Sequence, residues 1–286
     1  MLRWHASRPV RAEQLWRRAL QRSAAATQVG ALVPLTTEVL DLPRVEPFVL
    51  RRLVSQTPKH LRQGGPKPNP FLPWEPALEV DRIGESHVVL LNKYPVQAGH
   101  LLLITQGWQP QAGWIEAEDW RAVGHMAADM AGLWFFNSCA AAGASQPHRH
   151  LQLLPRQAGD ESCPLAARWG AQRQQRDWSW AFRISPRHDP IGCTDLPCLY
   201  EAHAEQLGLG SPGRDPQPLH PYNLLFDDDW LLTVRRSREH CAGFSINALG
   251  FAGYLLATPH SDLPWLERQG PWQLLQAVAS PEPSPL

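Results

Sequence analysis

The segment that most constrains this chain runs from Asn137 to Pro155 (NSCAAAGASQPHRHLQLLP), where a turn of small residues opens onto alternating polar and apolar positions. In a strand, alternate side chains share a face. His148, His150 and Gln152 therefore line one side of a strand over Arg149–Leu154, while Leu151 and Leu153 enter a core on the other. Three polar groups stand in register at the end of a glycine and serine turn.

That arrangement suits nucleophilic chemistry on a phosphate. A neutral imidazole has one lone pair for attack once its other ring nitrogen donates to a fixed acceptor. Such a histidine can take a nucleotidyl group from one phosphate and pass it to another, splitting one displacement into two. Gly143, Ala144 and Ser145 are small enough to let backbone N–H groups and one hydroxyl approach phosphate oxygens. Two other readings stay open on these residues alone. An H-x-H pair can hold zinc or iron, but it needs a third protein ligand, and Gln152 is a poor one. Two hydrogen-bonded histidines on a strand can also be purely structural.

Around this segment the chain alternates strands and helices. Residues 9–26 are rich in helix formers and predict an N-terminal helix. Residues 57–76 (TPKHLRQGGPKPNPFLPWEP) carry too much proline and glycine for a core element and predict an extended connector. HVVLL (87–91) and HLLLIT (100–105) predict two buried strands joined by the loop NKYPVQAG. Trp120, Val123, Ala127, Met130, Leu133 and Trp134 recur at spacings of three and four, which predicts one amphipathic helix over Glu116–Phe136. Residues 156–220 are polar and predict a long excursion with one helix. Strands are expected at Tyr222–Phe226 and Trp230–Val234, joined by Asp227–Asp229. Phe244–Ala257 is expected to continue the sheet, and a last helix to cover Pro271–Val278.

Composition removes several classes. Basic and acidic side chains number 27 each, so the zero formal charge leaves no footprint for nucleic acid. The five cysteines are odd in number and lack C-x-x-C spacing, so neither a disulfide framework nor a structural zinc site is expected. No stretch offers about 18 consecutive apolar residues and the N-terminus lacks an apolar signal core, so the expectation is a soluble cytoplasmic protein without membrane contact. Only Lys59, Lys67 and Lys93 are lysines in a chain whose other basic residues are arginines, which draws attention to them.

The motif GASQPHRHLQLLP resembles that of the histidine triad superfamily, His-x-His-x-His followed by apolar residues, with Gln152 in the third place. That substitution is similar to the hexose-1-phosphate uridylyltransferases and the diadenosine tetraphosphate (Ap4A) phosphorylases. NPFLPWEP (69–76), LNKYPV (91–96), HLLLIT (100–105), FFNS (135–138), YNLLF (222–226) and INALGFAG (246–253) resemble the second group, the ATP adenylyltransferases. The resemblance implies an α+β, HIT-like fold with a mainly antiparallel sheet flanked by helices. It implies an N-terminal phosphorylase-like region over residues 1–165 and a C-terminal adenylyltransferase region over 190–286, packed on the first.

The resemblance also implies site roles. His150 would be the nucleophile, Gln152 would bond the phosphoryl group under attack, and His148 would help fix the site. Asn92 would face the ribose hydroxyls and Asn137 the ribose and phosphate. Gly143, Ala144 and Ser145 would hold phosphate oxygens, and Lys93 and Lys67 the outer phosphates. The implied reaction is Ap4A plus phosphate giving ATP and ADP, and its reverse. Other nucleotides such as adenylyl sulfate or sugar nucleotides, or nucleotide binding without turnover, are the alternatives. No cofactor is required for the covalent chemistry, with Mg²⁺ a candidate companion of the polyphosphate. Gln152 itself favours transfer over hydrolysis: an amide can donate to phosphate but cannot shuttle a proton to activate water.

Overall fold

The computed structural model describes residues 11–55, 69–157, 159–171, 178–189 and 191–282. Helix α1 (Gln14–Gln28) precedes two short strands, β1 (Thr37–Val39) and β2 (Val49–Leu53). The main sheet then collects β3 (Glu79–Ile83), β4 (His87–Leu91), β5 (Leu101–Thr105), β6 (Gly132–Asn137), β7 (His150–Pro155), β8 (Phe182–Pro186), β9 (Tyr222–Phe226) and β10 (Trp230–Arg235). Their spatial order is β3-β4-β5-β7-β6-β9-β10-β8, and every neighbouring pair is antiparallel. The α+β architecture expected from the sequence is the one formed.

Both faces of this sheet are covered, which is why its central strands β5, β6 and β9 are mostly apolar. Helices α2 (Ala117–Asp129) and α4 (Leu196–Gln206) join α1 on one face, where Leu15, Val123, Met126, Leu151, Leu153 and Ala204 share a core. Between α2 and α4 in the chain lies α3 (Ala166–Ala171), which sits on the other face with α5 (Ala248–Phe251), α6 (Leu263–Gln269) and α7 (Pro271–Val278). There Leu133, Phe135, Leu154 and Leu225 meet Trp169, Phe251 and Leu275. The pairing of β6 with β9, from Trp134↔Phe226 to Asn137↔Asn223, makes one sheet of the N-terminal and C-terminal halves.

Four expectations need correction. Glu116–Phe136 is not one helix: α2 stops at Asp129, Met130 is extended (φ −145°, ψ 147°), and β6 begins at Gly132. The apolar spacing of three and four runs on by coincidence into LWFFN, a fully buried strand whose continuous hydrophobicity mimics a helix face. Gly132 helps decide the outcome, because a Cβ there would lie 2.3 Å from the Leu154 carbonyl oxygen of the neighbouring strand. The 156–220 excursion holds α3, α4 and the edge strand β8, whose short amphipathic patterns are diluted by polar residues.

Phe244–Ala257 does not continue the main sheet. Phe244–Ser245 pairs with His240–Cys241 in a small hairpin, α5 follows, and Tyr254–Ala257 pairs in parallel with β2 in a separate three-stranded sheet. The N-terminal helix starts at Gln14, later than expected, with Glu13 in a left-handed conformation before it. Of the 57–76 connector, residues 57–68 lie outside the described residues; Pro76–Leu78 forms a single 3₁₀ turn.

Candidate active site

His150 opens β7 at the point where β6 and β7 part. Their ladder ends at Phe135↔Gln152, and the buried Gln111 side chain fills the gap beyond it. Gln111 Oε1 accepts from the His150 N–H at 2.8 Å, and its Nε2 donates to the carbonyls of Asn137 (2.7 Å) and His150 (3.2 Å). An amide side chain thus satisfies backbone groups that the splayed strands leave unpaired.

The His150 imidazole is buried, with the Phe71 ring 5.5 Å away centre to centre. Its Nδ1 donates to the His148 carbonyl at 2.8 Å, so the lone pair sits on Nε2. Burial is the main cause that pushes the His150 pKa down to about 4, so the ring is neutral near pH 7. His148 is held with the opposite tautomer. Asn69 Oδ1 accepts from the Phe71 N–H, which turns Asn69 Nδ2 toward His148 Nδ1 (3.0 Å) as donor. His148 Nε2 then donates to Thr105, at 2.9 Å from both its carbonyl and its hydroxyl. Both ring nitrogens of His148 are therefore committed to protein groups.

Gln152 lies two residues along the same strand face. Its Oε1 accepts from His100 Nε2 at 3.0 Å, and its Nε2 has no partner among the described residues. Asn92 closes the chain of contacts: Nδ2 donates to His100 Nδ1 at 2.9 Å, and Oδ1 accepts from the Tyr94 N–H. Burial, the largest cause, pushes the His100 pKa down to about 4.

Behind the site, Arg149 points to the opposite face of β7. It bonds Asp119 (2.8 Å) and the Pro110 carbonyl, and Asp119 also accepts from His87 (2.9 Å). Burial raises the Asp119 pKa, but the His87 bond and the Arg149 charge outweigh it and hold the carboxyl below its usual range.

The small-residue turn is fixed from below. Asn137 Oδ1 accepts from Asn223 Nδ2 (2.8 Å) and the Ala248 N–H (2.9 Å). Asn223 Nδ2 and the buried Arg236 both donate to the Ala142 carbonyl, and Arg236 also bonds Asn223 Oδ1. Gly143 has φ +87°, and a Cβ there would come within 2.6 Å of Asn247 Cβ. The N–H groups of Gly143 and Ala144 donate within the turn to Ala140 and Cys139, so neither is available for the phosphate contact expected of it. Ser145 is exposed and its hydroxyl has no partner among the described residues.

Lys93 is exposed beside the Tyr94 ring, on the loop after Asn92, and Lys67 lies outside the described residues. The structure thus sets His148, His150 and Gln152 along one strand, joins Asn92 to Gln152 through His100, and places Asn137 beneath the adjacent turn. Sequence reasoning missed His100, Gln111, Asn69 and Thr105. A signal for His100 was present, because pairing Leu91 with Leu101 sets Asn92 opposite His100 at the base of the hairpin. Among the described residues no three His, Cys, Asp or Glu side chains converge as metal ligands.

A neutral, tautomer-locked histidine on an antiparallel sheet, beside an amide donor and a small-residue turn, defines a HIT-like protein of the transferase type. A family model for the Ap4A phosphorylase N-terminal domain matches residues 5–168, and one for the ATP adenylyltransferase C-terminal domain matches 176–281. The chain belongs to the Ap4A phosphorylase family. Protein APA1 of Saccharomyces cerevisiae is 24% identical over 252 residues, covering 77% of this chain and 78% of that protein. The structure of yeast Ap4A phosphorylase Apa2 superposes with a TM-score of 0.73 at 21% identity, over 96% of this chain and all of that one. Apa2 in complex with Ap4A gives a TM-score of 0.74 at 20% identity, with the same coverage.

Proposed function

We infer that this chain is a nucleotidyltransferase that phosphorolyses Ap4A to ATP and ADP, and runs the reverse reaction, through an adenylyl group on His150. The observation that carries this reading is the pairing of a neutral His150, with Nε2 free for attack, and Gln152, whose free group is an amide NH₂. His150 Nε2 attacks the α-phosphorus of Ap4A, the bond to the bridging oxygen breaks, and ATP leaves as an anion that needs no proton. Phosphate, already ionised, then attacks the same phosphorus; the P–N bond breaks and ADP departs. Gln152 Nε2 donates to the non-bridging oxygen that gains charge in both steps. The likeness to yeast Ap4A phosphorylase Apa2, solved in complex with Ap4A, supports the choice of substrate.

The remaining roles follow from which groups the protein leaves uncommitted. Asn92 keeps a second amide hydrogen and a second lone pair for ribose hydroxyls. Asn137 keeps its Nδ2 for the ribose or phosphate, and Ser145 its hydroxyl for phosphate. Gly143 and Ala144 contribute shape and not hydrogen bonds. Lys93 and Lys67 serve the outer phosphates. Residues 1–165 and 190–286 form the phosphorylase-like and adenylyltransferase regions of one cytoplasmic enzyme, and no helix among the described residues is long and apolar enough to cross a membrane. Mg²⁺ travels with the polyphosphate, so activity lost to a chelator returns with Mg²⁺ alone.

The test is to withhold the acceptor. With Ap4A present and phosphate absent, ATP should be released once and AMP left on His150, visible as an intact-mass increase in neutral or alkaline buffer. Adding phosphate should discharge the adduct as ADP, with ping-pong steady-state kinetics. Sequential kinetics without an adduct, or an adduct that survives His150→Ala, would overturn the mechanism.

A further inference from the structure

We propose that His100 is a positioning residue whose tautomer fixes which way round the Gln152 amide is held, so that its NH₂ and not its oxygen faces the phosphorus attacked by His150. The proposal deepens the reading above and rests on it for the identity of the phosphorus.

The orientation follows step by step from backbone to amide. The Tyr94 N–H is a donor whatever its surroundings, so the atom of Asn92 that faces it at 3.2 Å is the oxygen. The other end of the Asn92 amide, facing His100 Nδ1 at 2.9 Å, is therefore the NH₂. A neutral imidazole that accepts at Nδ1 must carry its proton on Nε2. The Gln152 atom 3.0 Å from Nε2 must then accept, which makes it Oε1 and turns the NH₂ outward. Each link has one solution, and the first is set by a peptide group that cannot flip.

Packing keeps the relay in this state. His100 is buried at the start of β5, its ring 5.7 Å from that of Phe135. Leu102 and Phe135 are the cross-strand partners of Gln152 on its two sides, so the glutamine stands between fixed neighbours. A protonated His100 would set an N–H against the Asn92 NH₂; burial, which pushes its pKa down to about 4, opposes that form. Without the relay, an amide is free to present its oxygen to a polyphosphate, where lone pairs meet negative oxygens and the transition state loses its donor.

The experiment has a spectroscopic arm and a kinetic arm. In the nucleotide-free wild-type protein, long-range ¹H–¹⁵N spectra of ¹⁵N-histidine should show His100 protonated at Nε2 and His150 at Nδ1. An Nδ1–H tautomer at His100 would overturn the proposal, whatever the substrate proves to be. In the kinetic arm, His100→Phe keeps the ring and removes its polarity. The rate of adduct formation with Ap4A should fall about tenfold to a hundredfold, part of the effect of losing a donor aimed at the developing charge, with KM changed by less than about threefold. His100→Gln restores a donor and an acceptor and should recover most of the rate.

The effect should vanish in a Gln152→Ala background, because His100 then has no amide to orient. Equal losses from His100→Phe in both backgrounds would show a merely structural histidine and refute the relay. Should His100→Phe not fold, His100→Gln and the wild-type tautomer decide the matter. An absence of turnover on Ap4A, with Nε2–H at His100, would reject the substrate assignment and leave the amide orientation standing.

Discussion

The Nδ1–H of His150 is pinned on the carbonyl oxygen of His148, 2.8 Å away, so the alternation of the strand itself aims the nucleophile. Because the acceptor is backbone, no second side chain is needed to set the tautomer. His150→Ala should therefore remove turnover without disturbing the network of Asn92, His100 and Gln152. Loss of the covalent route should cost roughly four decades in rate, about 5.5 kcal/mol of barrier. Calorimetric binding of nucleotide should persist within a few-fold. A variant keeping a tenth of the wild-type rate would remove His150 from the mechanism.

Gln152→His tests why an amide occupies the third polar position. A histidine there is titratable and can take a proton from an attacking water, which the amide cannot. The ratio of AMP to ADP formed from Ap4A and phosphate should rise, measured by chromatography of the products at fixed phosphate. An unchanged ratio would refute the explanation for glutamine while leaving the nucleophile intact.

The strands that carry the site were legible because their sequences obey one rule at a time. His87–Leu91 and Tyr222–Phe226 are short apolar runs bounded by turn residues, and His150–Leu153 alternates polar with apolar positions. β6 was not legible, since a strand buried on both faces and a helix face look alike over six residues, and α2 ran straight into it. The site followed the same division. His150 and Gln152 announce themselves within one motif, whereas His100 and Gln111 reach it through contacts across 52 and 39 residues of chain. The commitment of the Gly143 and Ala144 N–H groups was hidden for a different reason: small residues permit a phosphate loop and a tight 3₁₀ turn equally well.

Arg149 is the residue between the two motif histidines, yet its role lies on the other face. It forms a buried ion pair with Asp119, which is shared with His87. Removing one partner leaves an under-compensated buried carboxylate, a loss of about 3 kcal/mol or more. Arg149→Met should lower the chemical-denaturation midpoint by that equivalent, with a smaller effect on the rate per folded molecule. A variant with wild-type stability would mean that water or His87 alone satisfies Asp119.

Acid should destabilise the fold well before ordinary carboxylates titrate. Burial, the leading cause in each case, pushes His100 and His150 down to about 4 and His203 down to about 3. A histidine whose folded pKa is depressed binds fewer protons in the folded chain than in the unfolded one. Its contribution to stability is therefore whole above about pH 6.5 and is lost progressively as the pH falls toward 4. Asp227 has the opposite sign: burial raises its pKa to about 7, so across the same range the folded chain holds a proton that the unfolded chain releases. Burial also lowers His148 and His220, so five histidines oppose one carboxyl and the chain takes up at least about two protons on unfolding. The slope should be at least about 2.7 kcal/mol per pH unit between pH 6 and 5, with stability decreasing on acidification. Urea unfolding at half-unit steps measures it directly. His203→Gln, which removes one of the depressed groups, should reduce the slope by about 1.4 kcal/mol per pH unit. A flat profile across this range would mean that the buried histidines take up their protons inside the folded protein near the ordinary imidazole pKa.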